Sequence, residues 1–229
     1  MRKGLLQQLN ANRAANRPCV LIRYLDTGDS FVLEPGLHVD EQEAELHELA
    51  MKALGSDQCL RADLYGQDCF IQPFNAPLRL VIVGAVHIGQ HLAGNARSCG
   101  YDVVVVDPRQ TFASESRFPG VTLNTEWPDF ALENISLDTR SALVTLTHDP
   151  KLDDPALQVA LRSPAFYIGA LGSRKTQAAR IKRLQQAGFT ETEIARLKAP
   201  VGLDIGARSP AEIAVSIMAE ITATLRKNS

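Results

Sequence analysis

The chain has 229 residues, of which 45% are hydrophobic and 22% charged, enough apolar material to bury a sizeable core without disulfides or metals. A balance of Lys+Arg 24 against Asp+Glu 26 leaves a formal net charge of -2, and with 6% aromatic residues there is neither a basic stripe nor a stacking platform for nucleic acid. No apolar run approaches the roughly 20 residues that cross a bilayer, and the opening MRKGLLQQLNANRAAN interrupts its short apolar stretch with Gln and Asn, so a membrane partner is disfavoured and a cytoplasmic location is expected.

Taken in chain order, Lys3 to Ala15 reads as a helix. Cys19 to Tyr24 and Ser30 to Leu33 read as two strands joined through the turn composition Asp26-Thr27-Gly28-Asp29. Asp40 and Glu43 have the spacing of a capping box, and Leu46, Leu49, Ala50, Ala53 and Leu54 continue it as a helical stripe. Cys59 to Leu64 and Cys69 to Gln72 read as a second hairpin around Tyr65-Gly66-Gln67-Asp68. Pro73-Phe74-Asn75-Ala76-Pro77 has the prolines of a linker, so residues 1–76 are expected to form a small α+β domain and residues 77–229 a second one.

Beyond the linker, strand and helix signals alternate, which predicts a Rossmann-like α/β domain: a mostly parallel sheet with helices on both faces. The strands are Leu78 to Val83, Asp102 to Val106, Ala142 to Leu146 and Ala165 to Ile168. The helices are His87 to Cys99, Pro155 to Leu161, Lys175 to Ala187, Thr190 to Leu197 and Pro210 to Leu225, the last with Ile213, Ile217, Ile221 and Leu225 every four residues.

The first strand runs into Gly84-Ala85-Val86-His87-Ile88-Gly89. In a dinucleotide-binding GxGxxG turn the second glycine lets the backbone approach a pyrophosphate, and here Val86 fills that place, which disfavours NAD(P). Asp107 stands at the offset of a ribose-binding acid, and Arg109 beside it offers a phosphate partner instead. His87 and His91 share a helix face, but no third ligand accompanies them and no metal site is expected. The four cysteines form no CxxC pair; they are expected to be buried thiols, with a persulfide carrier as the alternative.

A second glycine turn, Gly169-Ala170-Leu171-Gly172-Ser173-Arg174-Lys175-Thr176, departs from the Walker pattern because Arg174 stands where its second Gly belongs. Gly172 and Ser173 at a helix start, flanked by Arg174 and Lys175, nevertheless suit an anion. His148 and Asp149 follow the third strand and could do acid–base work or simply cap a helix. Asp204, Gly206 and Arg208 lie in the glycine-rich lead into the last helix. If the strands are parallel, these loops meet beyond their carboxyl ends and form a cationic pocket suited to a phosphate-bearing ligand.

The runs Thr147-His148-Asp149-Pro150 with Asp153-Asp154-Pro155-Ala156-Leu157, Tyr167 to Thr176 and Gly202 to Ala214 closely resemble the xanthine dehydrogenase accessory (XdhC/CoxI) family, over roughly residues 79 to 225. The resemblance implies a Rossmann-like C-terminal domain and a maturation factor for a molybdenum hydroxylase of the xanthine dehydrogenase type. Such a factor binds molybdenum cofactor (molybdopterin), assists its sulfuration with a cysteine desulfurase, and helps insert it. A non-catalytic, dimeric cofactor chaperone is therefore expected. Two alternatives are an NAD(P)-binding oxidoreductase or nucleotide sensor, and a cofactor-free docking module for the dehydrogenase. Family members usually read GAGH where this chain has Gly84-Ala85-Val86-His87, and neither the GSxPRxxGA motif nor the glycine-rich segment ending in Cys occurs before residue 76, which marks a short member with an atypical N-terminal region.

Overall fold

The computed structural model describes residues 3–34 and 44–227, so the capping box expected at Asp40 and Glu43 lies outside the described residues. Two compact units are present, Met1–Ala76 and Pro77–Asn228. The first contains α1 (Lys3–Ala14), β1 (Cys19–Tyr24), β2 (Ser30–Leu33), α2 (Ala44–Ser56), β3 (Leu60–Leu64) and β4 (Gln67–Phe74). Its strands form an antiparallel sheet in the order β2-β1-β4-β3. Tyr65 and Gly66, both at positive φ, make the two-residue connection between β3 and β4, the geometry that matches strand twist. Leu46, Ala50, Ala53 and Leu54 of α2 pack on Val20, Ile22, Leu64 and Ile71 of the sheet.

Pro73 and Phe74 correct the linker expectation, because both lie inside β4, paired with Val20 and Cys19. The β3 partner ends opposite Ile71, so β4 borders only β1 at Pro73 and has an edge where no donor is required.

The second unit contains β5 (Arg79–Val83), α3 (His87–Ser98), β6 (Asp102–Val106), β7 (Thr122–Asn124), α4 (Pro128–Ile135), β8 (Ser141–Thr145), α5 (Pro150–Arg162), β9 (Tyr167–Ala170), α6 (Arg174–Gln186), α7 (Glu191–Ala195), β10 (Leu197–Lys198) and α8 (Pro210–Lys227). All six strands are parallel, in the order β10-β9-β8-β5-β6-β7. Counted within the unit this is the doubly wound Rossmann order, and its direction reverses between β5 and β8. Val83 pairs with both Val106 and Thr145, so the carboxyl ends of the central strands are level at that switch point.

Helices cover both faces. On one, Leu92, Ala93 and Ala96 of α3 pack with Ala214, Ile217 and Ile221 of α8 over Leu80, Ile82 and Val144. Each fully buried Ile or Leu there is worth about 1.5–3 kcal/mol. On the other, Leu132 of α4, Leu157 and Leu161 of α5, Leu184 of α6 and Ile194 of α7 cover Val81, Val83 and Leu143. Among the described residues no helix is long and apolar enough to cross a membrane.

The expected helix over Thr190 to Leu197 is divided. A capping box between Thr190 and Glu193 starts α7, but Leu197 leaves it to pair with Ile168 as β10. Helix α5 begins at Pro150, earlier than Pro155, because Asp149 caps it and accepts from Lys151 N–H. The short elements β7 and α4 carry no pattern long enough to predict.

Candidate functional site

Gly84 follows β5 and donates its N–H to Val106 O. Its φ is +112, and a Cβ there would stand 2.7 Å from Thr147 Cγ2. A Cβ on Gly89 would stand 2.9 Å from Gly84 O, so both glycines are fixed by the close approach of α3 and the β8 loop to the β5 turn. Val86, which precedes α3, is half-buried and packs against the core under that helix.

Asp107, at the end of β6, is fully buried. Its Oδ2 accepts from Ala85 N–H at 2.8 Å and from Arg109 Nη2 at 2.7 Å, while Oδ1 accepts from Arg109 N–H and Nε at 3.0 and 2.9 Å. Burial opposes its charge, but the Arg109 guanidinium and the backbone donors outweigh burial and hold the carboxyl below its usual range. The acid therefore ties the β5 and β6 turns together and does not face a ribose.

On the β8 side, Thr147 donates its hydroxyl to Asp153 Oδ1 at 2.7 Å and its N–H to the same oxygen at 3.3 Å. His148 is exposed at the crest of this loop with φ +61, and Asp149 is exposed as the cap of α5. Asp153 is 1% exposed, and burial pushes its carboxyl up despite the Thr147 bonds and the nearby Arg180. Arg180 of α6 is also 1% exposed. It donates Nη2 to Leu171 O at 3.1 Å, approaches Asp153 Oδ2 at 3.5 Å and donates Nη1 to Gln177 at 3.0 Å. Its Nε, and the hydroxyl of Thr145 at the end of β8, are buried without a hydrogen-bond partner.

Gly172 has φ +151, and a Cβ there would meet Thr176 at 3.2 Å and Arg180 Nη1 at 3.7 Å. Ser173 caps α6 by accepting from Thr176 N–H, and Arg174 and Lys175 follow it, exposed, in a first turn without an acid. Cations at a helix start oppose the helix dipole, which favours anions there. The remaining loop leaves the sheet where Val201 N–H bonds Ala170 O, attaches to α8 through Leu203 N–H and Ser216 O, and ends where Glu212 accepts from Arg208 and Ser209. Asp204, Gly206 and Arg208 are exposed on it.

Contacts thus join the turns after β5, β6, β8 and β9 at the switch point. His87 and His91 are exposed on α3, and among the described residues no group of three His, Cys, Asp or Glu side chains could hold a metal ion. The expectation of buried thiols is corrected in half: Cys19 and Cys69 are buried, whereas Cys59 and Cys99 are exposed. Asp153 stands in a run that carries the family resemblance, with no site role expected of it, and Arg180 is not among the expected site residues. Arg180 lies four residues before buried Leu184, a charge on the core stripe of its helix, and that placement is the signal to follow.

The XdhC Rossmann domain model matches residues 80–221. The chain belongs to the XdhC family. Among relatives, the molybdenum cofactor insertion chaperone PaoD of Escherichia coli is 32% identical over 148 residues, 65% of this chain and 40% of PaoD. A Bacillus subtilis protein, named a probable subunit of xanthine dehydrogenase, is 35% identical over 159 residues, 69% of this chain and 46% of that one. E. coli YqeB is 34% identical over 166 residues, 70% of this chain and 31% of YqeB. The XdhC chain here therefore spans less than half the length of these relatives. A Bacillus halodurans crystal structure described as a xanthine dehydrogenase shares the fold with a TM-score of 0.72 at 22% identity, over 98% of this chain and 64% of that one.

Proposed function

We propose that this XdhC protein serves in the maturation of a molybdenum hydroxylase of the xanthine dehydrogenase type, taking molybdenum cofactor as cargo in the crevice at the switch point. The observation that carries the reading is the α6 start. Gly172 and Ser173 lead into a helix N-terminus, Arg174 and Lys175 stand exposed beside it, and the buried Arg180 guanidinium lies under Gly172. Backbone N–H groups, a helix dipole and cations form a donor set for the cargo's phosphate. The identity to PaoD, itself named an insertion chaperone, supports the same reading.

In this scheme Arg174, Lys175 and the α6 amides hold the phosphate. Asp107, Asp153 and Arg180 hold the turns in place, while His148, Asp149, Asp204, Gly206 and Arg208 border the cargo. The protein has no turnover of its own; it shelters the cofactor during sulfuration by a cysteine desulfurase and delivers it to the dehydrogenase. It acts in the cytoplasm as a homodimer, with residues 1–76 and 77–229 as separate domains.

Cys99 lies away from the switch point. It caps the C-terminus of α3, and the 12 residues of that helix separate it from the Val86 end by about 18 Å at 1.5 Å per residue. The test is purification from cells that make the cofactor, followed by oxidation of bound pterin to its fluorescent form. Retention above a control protein is expected, and a pterin content equal to the control rejects the proposal.

A further inference from the structure

Residues 120–139 hold Glu126, Asp129, Glu133 and Asp138 and no Lys, Arg or His. Helix α4, in the middle of this stretch, turns Pro128, Ala131 and Leu132 into the core. Its other side carries Trp127, the N-cap, and Phe130, which stands three residues on and so beside it at the helix start. Trp127 is 52% exposed and Phe130 60%. Among the described residues neither ring meets another ring or a cation, and none of Glu126, Asp129 and Glu133 is in a salt bridge. Paired aromatic rings left in water with a polar border are the composition of an interaction face, and tryptophan is the residue most enriched at its energetic centre.

Position and charge say what the face meets. Asp107 N–H donates to Asn124 O at 3.0 Å, which joins the end of β7 to the turn after β6. Glu126 N–H bonds Asn124 Oδ1 at 2.8 Å, and Trp127 follows it, so α4 starts on the same carboxyl-end rim as Gly84, Asp107 and Thr147. A cargo held at the switch point leaves across that rim. β7 is the edge strand of the sheet, so no further strand of the unit covers the outer side. Glu133 stands near the C-terminus of α4, where the helix dipole disfavours an acid and no basic residue balances it, so helix stability does not account for it. Uncompensated acids around apolar rings attract and steer a basic face. A second copy of this chain is the wrong partner, because a two-fold contact would bring the same acids against each other.

We infer that the Trp127 and Phe130 face of α4 is the docking surface for the hydroxylase that receives the cargo, the two rings entering an apolar hollow of that enzyme bordered by Lys or Arg side chains. The inference rests on the maturation reading and adds to it the face at which delivery takes place.

Trp127 is the only tryptophan of the chain, so incorporation of 5-fluorotryptophan labels this face alone. Addition of the cofactor-free hydroxylase of the source organism should shift or broaden the single fluorine resonance. An unmoved resonance, or an effect from the cysteine desulfurase with none from the hydroxylase, overturns the inference. Phe130→Ala truncates a surface ring and should leave folding and pterin retention at the parent's level. Its affinity for the hydroxylase, measured by calorimetry, should fall about tenfold or more, as for a central aromatic contact. Unchanged affinity in folded Phe130→Ala overturns the inference and leaves the maturation reading standing, whereas a parent chain that retains no pterin rejects both. Glu126→Gln combined with Glu133→Gln should slow association several-fold at low salt and flatten its salt dependence. An association rate of the parent that does not change with salt contradicts the basic border.

Discussion

Gly84 faces Thr147 across the switch point of the sheet so closely that a Cβ on Gly84 would come within 2.7 Å of Thr147 Cγ2 and 3.3 Å of its backbone nitrogen. The glycine also sits at φ +112, where L side chains are strained. Gly84→Ala combines a clash with backbone strain and should cost about 2–4 kcal/mol in urea unfolding. Gly206, at φ +74 with open space around its Cα, isolates the backbone effect, and Gly206→Ala should cost only about 1 kcal/mol. Equal losses at the two positions would show that the turns after β5 and β8 are not packed together.

Asp107 makes stability depend on pH with a definite sign. Its carboxyl is held below the ordinary range in the folded chain, so its contribution is complete above the unfolded value and is lost as pH falls through the lower folded value. Asp107→Asn should therefore reduce stability at pH 7, by about 2–3 kcal/mol for the lost charged hydrogen bonds. The difference between the two proteins should shrink below about pH 4, near the ordinary Asp value. A gap that stays constant down to pH 2 contradicts the assignment.

Much of the second unit is legible in sequence because its signals are local. The apolar run Val103 to Val106 predicts a strand buried in the sheet, and the Ile213, Ile217, Ile221 stripe predicts the helix that packs on α3. Failures occur where a tertiary partner decides. Leu197 belongs by pattern to the preceding helix, and only Ile168 beside it makes it a strand. Pro73 reads as a linker residue until β1 is there to pair with it. Within the site, the glycine turns are visible as motifs, but the turning inward of Asp107 and the burial of Arg180 depend on contacts distant in sequence.

Arg174 and Lys175 are exposed in the first turn of α6 and engage no acid of that turn. Replacing both by Ala should leave unfolding within about 0.5 kcal/mol of the parent, as expected for surface positions. Pterin retention should fall at least about tenfold, since each charge-assisted contact to a phosphate is worth one to two orders of magnitude. Undiminished pterin in the folded double variant removes both residues from the site.

The cysteines separate into two classes that a thiol reagent distinguishes. Burial pushes the Cys19 and Cys69 thiols up, and both are inaccessible, whereas Cys59 and Cys99 are exposed. Two thiols should react in the native protein and all four in denaturant, because the thiolate is the reacting form and must be reached. Rapid reaction of four thiols under native conditions contradicts the packing of β1 and β4.

His148 is held at φ +61 between Thr147, which bonds Asp153, and Asp149, which caps α5. A non-glycine residue in this region carries strain, of order 1 kcal/mol or more, and such strain persists where surrounding contacts impose it. The backbone alone favours glycine, so His148→Gly should leave stability unchanged or raise it by up to about 1 kcal/mol, whereas the β-branched His148→Val should lower it by about 2 kcal/mol. If the imidazole borders the cargo, the glycine variant should lose pterin despite its unimpaired fold. Full retention by folded His148→Gly would confine this residue to the shape of the loop.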